Sequence, residues 1–264
     1  LLFGKLGDTR GKIRIFKIGS VLFILGSLLC GFSVGLPLLL VARSVQAVGA
    51  AMTMATSNGI ITEVFPFNER GRALGTIGSF VALGSIAGPG LGGLILAHLS
   101  WGYIFWINVP VGIVAFIVGQ RILPRDITLT RGSVDISGAS LFAVMMVSLF
   151  AAVFVGQEIG FNRPIIWGLF VVGIVTMISF IRLELRVSDP ILALHLFKNT
   201  RFSVSVLCAF LIFVVNFFFN VIAPFYLENA RGMAANYAGY ALMTFPIVQV
   251  VVAPIAGSIS DKIG

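Results

Sequence analysis

The sequence predicts an all-α polytopic membrane protein, and two observations support this fold class. Its 264 residues are 58% hydrophobic and 11% charged, with a mean hydropathy of +1.05, whereas soluble domains are roughly 45 to 50% apolar. Apolar runs of about 20 residues, the length that crosses a bilayer as a helix, recur along the whole chain. Bilayer spans therefore explain the apolar excess better than one very large soluble core.

Eight apolar runs qualify as membrane-spanning helices by length and composition. In chain order they cover residues 15–33, 36–61, 74–99, 104–122, 139–155, 165–181, 202–226 and 237–259.

The basic residues are distributed unevenly between the two sides that eight spans define. If the first polar segment is cytoplasmic, that side receives all but three of the 18 Lys and Arg residues, the exceptions being Arg43, Arg163 and Arg231. An excess of positive charge marks the cytoplasmic side of membrane proteins. The sequence therefore predicts a multi-pass protein of the cell membrane with its first loop in the cytoplasm.

The same distribution bears on the classes of partner and activity. The net charge of +8 lies in short clusters between the spans, where orientation requires it, so we expect no nucleic-acid partner. Cys30 and Cys208 lie far apart within apolar runs and have no ligand-type spacing, which predicts no metal site. No nucleophile with a base and no phosphate-binding loop is present, so we expect no enzyme and no cofactor.

A short pattern occurs near both ends of the sequence. Gly4, Asp8 and Gly11, with Leu6 and Lys12 beside them, recur after 253 residues as Gly257, Asp261 and Gly264. Chance is one explanation, because Gly and Asp are common in turns. Duplicated halves of a transporter are the other, because both copies follow an apolar end on the same predicted side. Glycines allow a tight turn and the carboxylate can pair with a cation or a helix N-terminus, so we predict two gating turns that act as latches.

The second run carries a polar stripe. At about 100° per residue, Arg43, Gln46, Thr53 and Ser57 fall within an arc of roughly 80°. An arginine within a span costs about 2.5 to 3.5 kcal/mol on insertion scales. Arg43 lies roughly 10 Å from the outer end of its run, too deep for its side chain to escape fully to the interface. We therefore predict that the stripe faces a cavity.

Two further groups of residues are candidates for function. The third run contains a spaced set of glycines and a proline, which predicts close helix packing and a bend, with generic small-residue packing as the alternative. That set is Gly75, Gly84, Gly88, Pro89, Gly92 and Gly93. Asn216 and Asn220 are four residues apart on one face of the seventh run, where they line a substrate cavity or form interhelical hydrogen bonds.

Together these motifs resemble the major facilitator superfamily and, within it, the fourteen-helix drug:proton antiporter family. The segment GKLGDTRGKIR is similar to the superfamily's loop between its second and third helices, with Thr9 and Ile13 where cations are usual. LLLVARSVQAVGAA resembles the next motif, with Ala47 replacing a second glycine, and the glycines of the third run match the antiporter motif. The stretches FPFNERGRALG, WGYIFWINVPVG, DISGASL and DPILALHLF extend the resemblance over essentially the whole chain.

The resemblance implies the major facilitator fold and a division of the chain into four regions. Eight spans separate Asp8 from Asp261 where a twelve-helix member has six, so the chain is expected to hold helices three to ten of fourteen. The regions are 1–14, the first gating turn; 15–122, the rest of the N-terminal six-helix bundle; 123–201, two extra linker helices with their loops; and 202–264, the start of the C-terminal bundle with the second gating turn.

For function, the resemblance implies secondary active efflux of multidrug or toxic compounds by proton antiport, and thus antibiotic resistance. The proton is then the coupling ion, with Arg43 taking part in coupling and the proton-carrying acid in the family's first helix. The expected partners are the lipid bilayer and small amphiphilic or cationic substrates, with a monomer when full length. Facilitator-type uptake of a small solute and a non-transporting membrane sensor remain the alternatives.

Overall fold

The computed structural model describes residues 1–124, 135–187 and 189–263, and these residues are almost entirely helical, with no strand among them. The helices are α1 (Leu2–Arg10), α2 (Lys12–Gly31), α3 (Leu36–Val64), α4 (Arg70–His98), α5 (Tyr103–Trp106), α6 (Asn108–Ile122), α7 (Ile136–Ile159), α8 (Pro164–Glu184), α9 (Thr200–Phe225) and α10 (Ala235–Ile263).

The described helices confirm the eight predicted spans. Eight segments are long and apolar enough to cross a membrane, and each overlaps one predicted run, the fourth being formed by α5 and α6 together. Large apolar side chains cover their surface: Met54 is 75% exposed and Phe217 is 73% exposed. In water such a surface would aggregate, whereas in a bilayer it contacts lipid.

The interruption between α5 and α6 follows from Pro110. Proline has no N–H, so it cannot donate to the carbonyl of Trp106 four residues earlier, and the helix breaks at Ile107. The Trp106 ring is held in place by Nε1, which donates to the Leu28 carbonyl at 3.2 Å, and by an edge-to-face contact with Phe32 at 4.8 Å between centroids. This fastens the fourth span to α2.

Helices α2 and α3 pack closely because glycines lie where they cross. A Cβ atom on Gly26 would fall on the backbone of Gln46, and one on Gly49 would fall on the backbone of Phe23. Small residues let two backbones approach in lipid, where packing replaces the hydrophobic effect between helices.

Helices α4 and α10 also cross closely. Gly71 faces Gly257, and Gly75 faces the Ala253 carbonyl. Pro254 cannot donate to the carbonyl of Val250, and Ser79 Oγ donates to that carbonyl instead, at 2.7 Å. A hydroxyl on one helix thus satisfies the acceptor that a proline frees on the other.

The chain forms two compact units. One contains α2 to α6, α10 and α9 from Val206 onward; the other contains α1, α7 and α8 with the segment that leads to Ser205. In the second unit Gly173 of α8 lies against Leu149 of α7, and the rings of Phe142 and Phe180 are 5.5 Å apart.

The two segments predicted as gating turns are largely helical in the structure. Residues Leu2–Arg10 are helical, and the chain turns only at Gly11, whose φ of 103° favours glycine. Gly257 and Asp261 lie within α10, which continues past Pro254 to Ile263. Gly264 lies outside the described residues, as does the stretch 125–134 of the predicted linker region.

We predict that Gly49→Val lowers the thermal stability of the intact protein in detergent or nanodiscs. Its side chain would meet the backbone of Phe23, and overpacking of this kind costs roughly 1 to 3 kcal/mol. Gly168→Ala on α8 is the matched control, because nothing lies within 4 Å of its Cβ position. Equal melting temperatures for both variants would contradict the close crossing of α2 and α3.

Candidate functional site

A chain of hydrogen bonds anchors Arg43 within the α2–α3 pair. Arg43 Nη1 donates to Gln46 Oε1 at 2.7 Å, Gln46 Nε2 donates to Ser27 Oγ at 2.8 Å, and Ser27 Oγ donates to the Phe23 carbonyl at 2.7 Å. Gln46 is only 5% exposed. Its amide therefore links the charged head group on α3 to the backbone of α2.

Arg43 faces a cavity of about 530 Å³ within the first unit described above. The residues that line it come from α2, α3 and α6: Phe23, Leu40, Arg43, Ser44, Gln46, Ala47, Ala50 and Asn108. The guanidinium carbon also lies 5.3 Å from the centroid of the Phe105 ring. Among the described residues Arg43 forms no ion pair, so its charge is held by one amide and one aromatic face and is open to an anionic or hydrogen-bonding group in the cavity.

Of the four residues predicted to line this cavity, the structure brings two together. Arg43 and Gln46 line it, whereas Thr53 Oγ1 donates to the Ala50 carbonyl at 2.9 Å and Ser57 Oγ to the Met54 carbonyl at 3.1 Å. Both hydroxyl groups therefore find their hydrogen-bond acceptors within α3. Asn108 lines the cavity and was not predicted to do so, although a lone amide near the start of an apolar run is a signal that points there.

A second cavity, of about 410 Å³, lies between α4, α9 and α10. It contains both predicted asparagines: Asn216 Nδ2 donates to the Ile212 carbonyl at 3.1 Å and Asn220 Nδ2 to the Asn216 carbonyl at 2.8 Å. Because each amide donates within α9, each Oδ1 stays available as an acceptor. The lining residues are Ser85, Ile86, Asn216, Phe219, Asn220, Gly239, Leu242, Met243, Phe245, Pro246 and Gln249.

The chemistry of the second cavity is neutral and rich in acceptors. None of its lining side chains is ionisable, and its polar side chains are hydroxyl and amide groups. Pro246 has no N–H to donate to the carbonyl of Leu242. This carbonyl is therefore a further backbone acceptor at the cavity wall. The rings of Phe219 and Phe245 lie 5.8 Å apart at 41°. Such a site suits an uncharged aromatic molecule with hydrogen-bond donors.

The glycines of the third run divide into two sets. Gly75 packs against α10, as described above. At Gly84, Gly88, Gly92 and Gly93 no atom of the described residues lies within 4 Å of the Cβ position, so the close packing predicted there is not found in this part of the chain. Helix α4 continues through position 89, and the Pro89 side chain lies outside the described set.

The two predicted gating segments differ in what their acidic and basic residues do. Asp261 caps α4: Oδ1 accepts from the Gly71 N–H at 2.6 Å and Oδ2 from the Arg72 N–H at 2.8 Å. The first amides of a helix have no partner within it, and its N-terminus attracts negative charge. In the first segment Gly4, Leu6 and Asp8 lie on α1.

Lys12 follows the first segment and forms an ion pair with Glu63 that joins the start of α2 to the end of α3. Its aliphatic stem lies over Gly59, where any Cβ would meet it.

Eight spans, a charged residue held inside one of them and two cavities among the helices define a multi-pass membrane transporter in contact with the lipid bilayer. The sequence model of the Major Facilitator Superfamily matches residues 1–264, and the chain belongs to that family.

Among similar proteins, the riboflavin transporter RibZ of Clostridioides difficile (strain 630) is 40% identical over 272 residues, which cover 100% of this chain and 57% of that protein. Multidrug resistance protein 3 of Bacillus subtilis (strain 168) is 31% identical over 262 residues, covering 99% and 51%. The multidrug transporter protein MdtP of the same strain is 31% identical over 262 residues, covering 99% and 48%. The chain thus spans about half the length of the curated relatives it matches.

We predict that Asp261→Ala speeds amide hydrogen exchange at Gly71 and Arg72 in the full-length protein. Their N–H groups have no acceptor within α4 and bind only this carboxylate, and hydrogen bonds to a charged group contribute about 1.5 to 3 kcal/mol, or roughly ten- to a hundredfold in protection. Lys262→Ala, one residue further on, is the control. Unchanged protection in Asp261→Ala, measured by mass spectrometry of peptides across residues 67–75, would rule out the cap.

Proposed function

We propose that this chain belongs to a fourteen-helix secondary active transporter that exports multidrug or toxic compounds, amphiphilic or cationic, in exchange for protons. Its regions are those set out from the sequence, with α7 and α8 as the two extra linker helices. The protein lies in the cell membrane with its first loop in the cytoplasm. Two relatives whose names describe multidrug transport or resistance support the substrate class.

One observation carries the proposal, namely the position of Arg43. A cation within a membrane span costs free energy, so a cation fixed at a cavity wall indicates a function in that cavity. Gln46 restrains one of its nitrogens, and the residue lines the cavity. A carboxylate that releases its proton in this cavity would be stabilised by the guanidinium, and a protonated one would not. Proton release would thereby be coupled to the state of the cavity.

The cap at Asp261 supports an alternating mechanism. It joins the end of α10 to the start of α4 through two hydrogen bonds and no bulky side chains, because glycines lie at the contact. Two hydrogen bonds from helix-terminal amides to one carboxylate can form and break together as one step. In this mechanism Asp261 is a latch at one end of the transport path.

We predict that Arg43→Ala abolishes uncoupler-sensitive efflux of a cationic dye from cells that express the full-length protein. Removing the guanidinium removes the charge that stabilises the ionised acid, so proton release and substrate export lose their link. Arg43→Lys should retain part of the activity, because it keeps the charge but loses the guanidinium nitrogen that donates to Gln46.

The matched control is Arg231→Ala, an exposed arginine that contacts only Tyr226 among the described residues. It should export dye as the unmodified protein does. Efflux that continues unchanged after an uncoupler collapses the proton gradient would contradict antiport, whichever residue is substituted.

Transport of riboflavin or a related flavin is a second candidate, which two observations favour. A relative named as a riboflavin transporter is 40% identical across this chain. The second cavity also has the chemistry that an isoalloxazine ring requires: aromatic side chains beside it and amide and carbonyl acceptors for an imide N–H and for hydroxyl groups. The absence of an ionisable lining residue suits a neutral ring better than a cation.

We predict that Asn220→Leu weakens riboflavin transport by purified full-length protein in proteoliposomes, raising KM roughly two- to tenfold for the loss of one hydrogen bond. Phe217→Ala is the control, because this residue of α9 is 73% exposed and lies outside the cavity. If the unmodified protein exports cationic dye and riboflavin neither crosses nor competes, the flavin assignment is wrong and the multidrug assignment stands.

A further inference from the structure

A basic cavity lies between the start of α2 and the end of α6. Its volume is about 770 Å³, and the residues that line it include Arg14, Lys17 and Ile18 of α2, with Gln120 and Leu123 at the end of α6. Its walls hold two cationic side chains and no acidic one. All of the lining residues belong to the first unit described above.

The two helices touch at one level and leave space between them at this end. A Cβ atom on Gly112 of α6 would strike the side chain of Ile24 on α2, which marks the close contact. As the first and fourth spans, α2 and α6 cross the membrane in opposite directions. Lys17, seven residues before Ile24, therefore lies at nearly the level of Gln120, eight residues after Gly112. The two polar side chains line the cavity from facing helices.

Two donor groups in this cavity have no partner in the part of the chain that the structure describes. Lys17 Nζ forms no ion pair or hydrogen bond there, and neither does the side-chain amide of Gln120. Lys17 is half-buried. The last carbonyls of α6 carry partial negative charge, yet Lys17 donates to none of them. The cavity therefore presents a cation and an amide donor that the described protein groups leave unsatisfied.

The charges in the cavity are unfavourable without an anion. Arg14 and Lys17 are three residues apart, so they share one face of α2, and like charges at neighbouring positions of a helix repel each other. Both lie in the first two turns of α2, where the positive end of the helix dipole also disfavours cations. Orientation in the membrane explains why basic residues lie on this side, but a fully solvated lysine would serve that purpose equally well.

The position of the cavity favours a lipid phosphate over a soluble anion. Helix α2 begins at Lys12 and α6 ends at Ile122, so the cavity lies at the ends of two membrane spans. Lys17 is roughly 7 Å along α2 from its start. Ile18 and Leu123 place apolar surface beside the cation, which suits the glycerol and first methylene groups of a lipid. Basic pockets between transmembrane helices bind the headgroups of anionic lipids.

We propose that this cavity binds the phosphate group of an anionic phospholipid, with Lys17 and Gln120 as donors from facing helices and Arg14 as an exposed second cation. The bound phosphate joins the start of α2 to the end of α6, so the lipid stabilises this unit of the protein. The inference depends neither on proton antiport nor on the transported compound, because none of these residues lines the other two cavities.

The test is native mass spectrometry of the full-length protein in detergent, with phosphatidylglycerol or phosphatidylcholine of the same acyl chains added. We expect the first phosphatidylglycerol to bind more tightly than phosphatidylcholine. Lys17→Ala should weaken its binding about tenfold or more, since a hydrogen bond to a charged group is lost, and Gln120→Leu roughly two- to tenfold. Lys17→Arg keeps the charge and should bind within about twofold of the unmodified protein. Arg121→Ala is the matched control, because Arg121 is exposed beside Gln120 and does not line the cavity.

Inorganic phosphate and glycerol 3-phosphate separate a soluble anion from a lipid. If either one raises the melting temperature of the delipidated protein as much as phosphatidylglycerol does, and Lys17→Ala removes the effect, the ligand is a soluble anion and the lipid assignment is wrong. Equal binding of the two lipids would overturn the site itself. An equal loss in Arg121→Ala and Lys17→Ala would reduce it to unspecific attraction. If Lys17→Ala does not fold, Gln120→Leu decides, because it removes a donor without changing the charge, and unchanged phosphatidylglycerol binding in that variant contradicts the proposal.

Discussion

Within a bilayer no water is available to bind backbone N–H and C=O groups, so each group must find a partner inside the chain. This constraint makes every span helical. Each proline within a helix leaves one carbonyl without its usual donor, and that carbonyl needs another partner. Pro110 leaves the Trp106 carbonyl without its helical donor, and the helix is interrupted at Ile107. Pro254 frees the Val250 carbonyl, and Ser79 reaches across from α4 to bind it. Pro246 frees the Leu242 carbonyl at the wall of a cavity, where a solute can bind it.

Glycines decide which helices approach closely. Where a Cβ would strike a neighbouring backbone, as at Gly26 and Gly49, two helices are in direct contact and polar groups can bridge them, which is why Gln46 reaches Ser27. Where nothing lies near the Cβ position, as at Gly88, the glycine presents an open surface in the described part of the chain. Glycine therefore lies at a close helix contact in one place and on an open helix face in another.

The spans could be predicted from the sequence because length and hydropathy alone determine them, and the depth of Arg43 followed from counting residues. The helical state of Gly257 and Asp261 could not, since Pro254 lies just before them in the sequence and the donor that binds its freed acceptor is Ser79, far away in the chain. Asn108 joined the cavity of Arg43 only through the packing of α6 on α2.

The bond between Asp261 and the start of α4 has a consequence for how the protein is made. Its two ends are 190 residues apart in the chain, a stretch that takes a ribosome roughly 10 to 40 s to synthesise. During that interval α2, α3, α5 and α6 can assemble, because their contacts come from neighbouring segments. Helix α4, whose main partner is α10, must wait in the membrane with its first amides bound to water at the surface. Its docking is therefore a late event in biogenesis, and the Asp261 cap is among the last contacts of this chain to form.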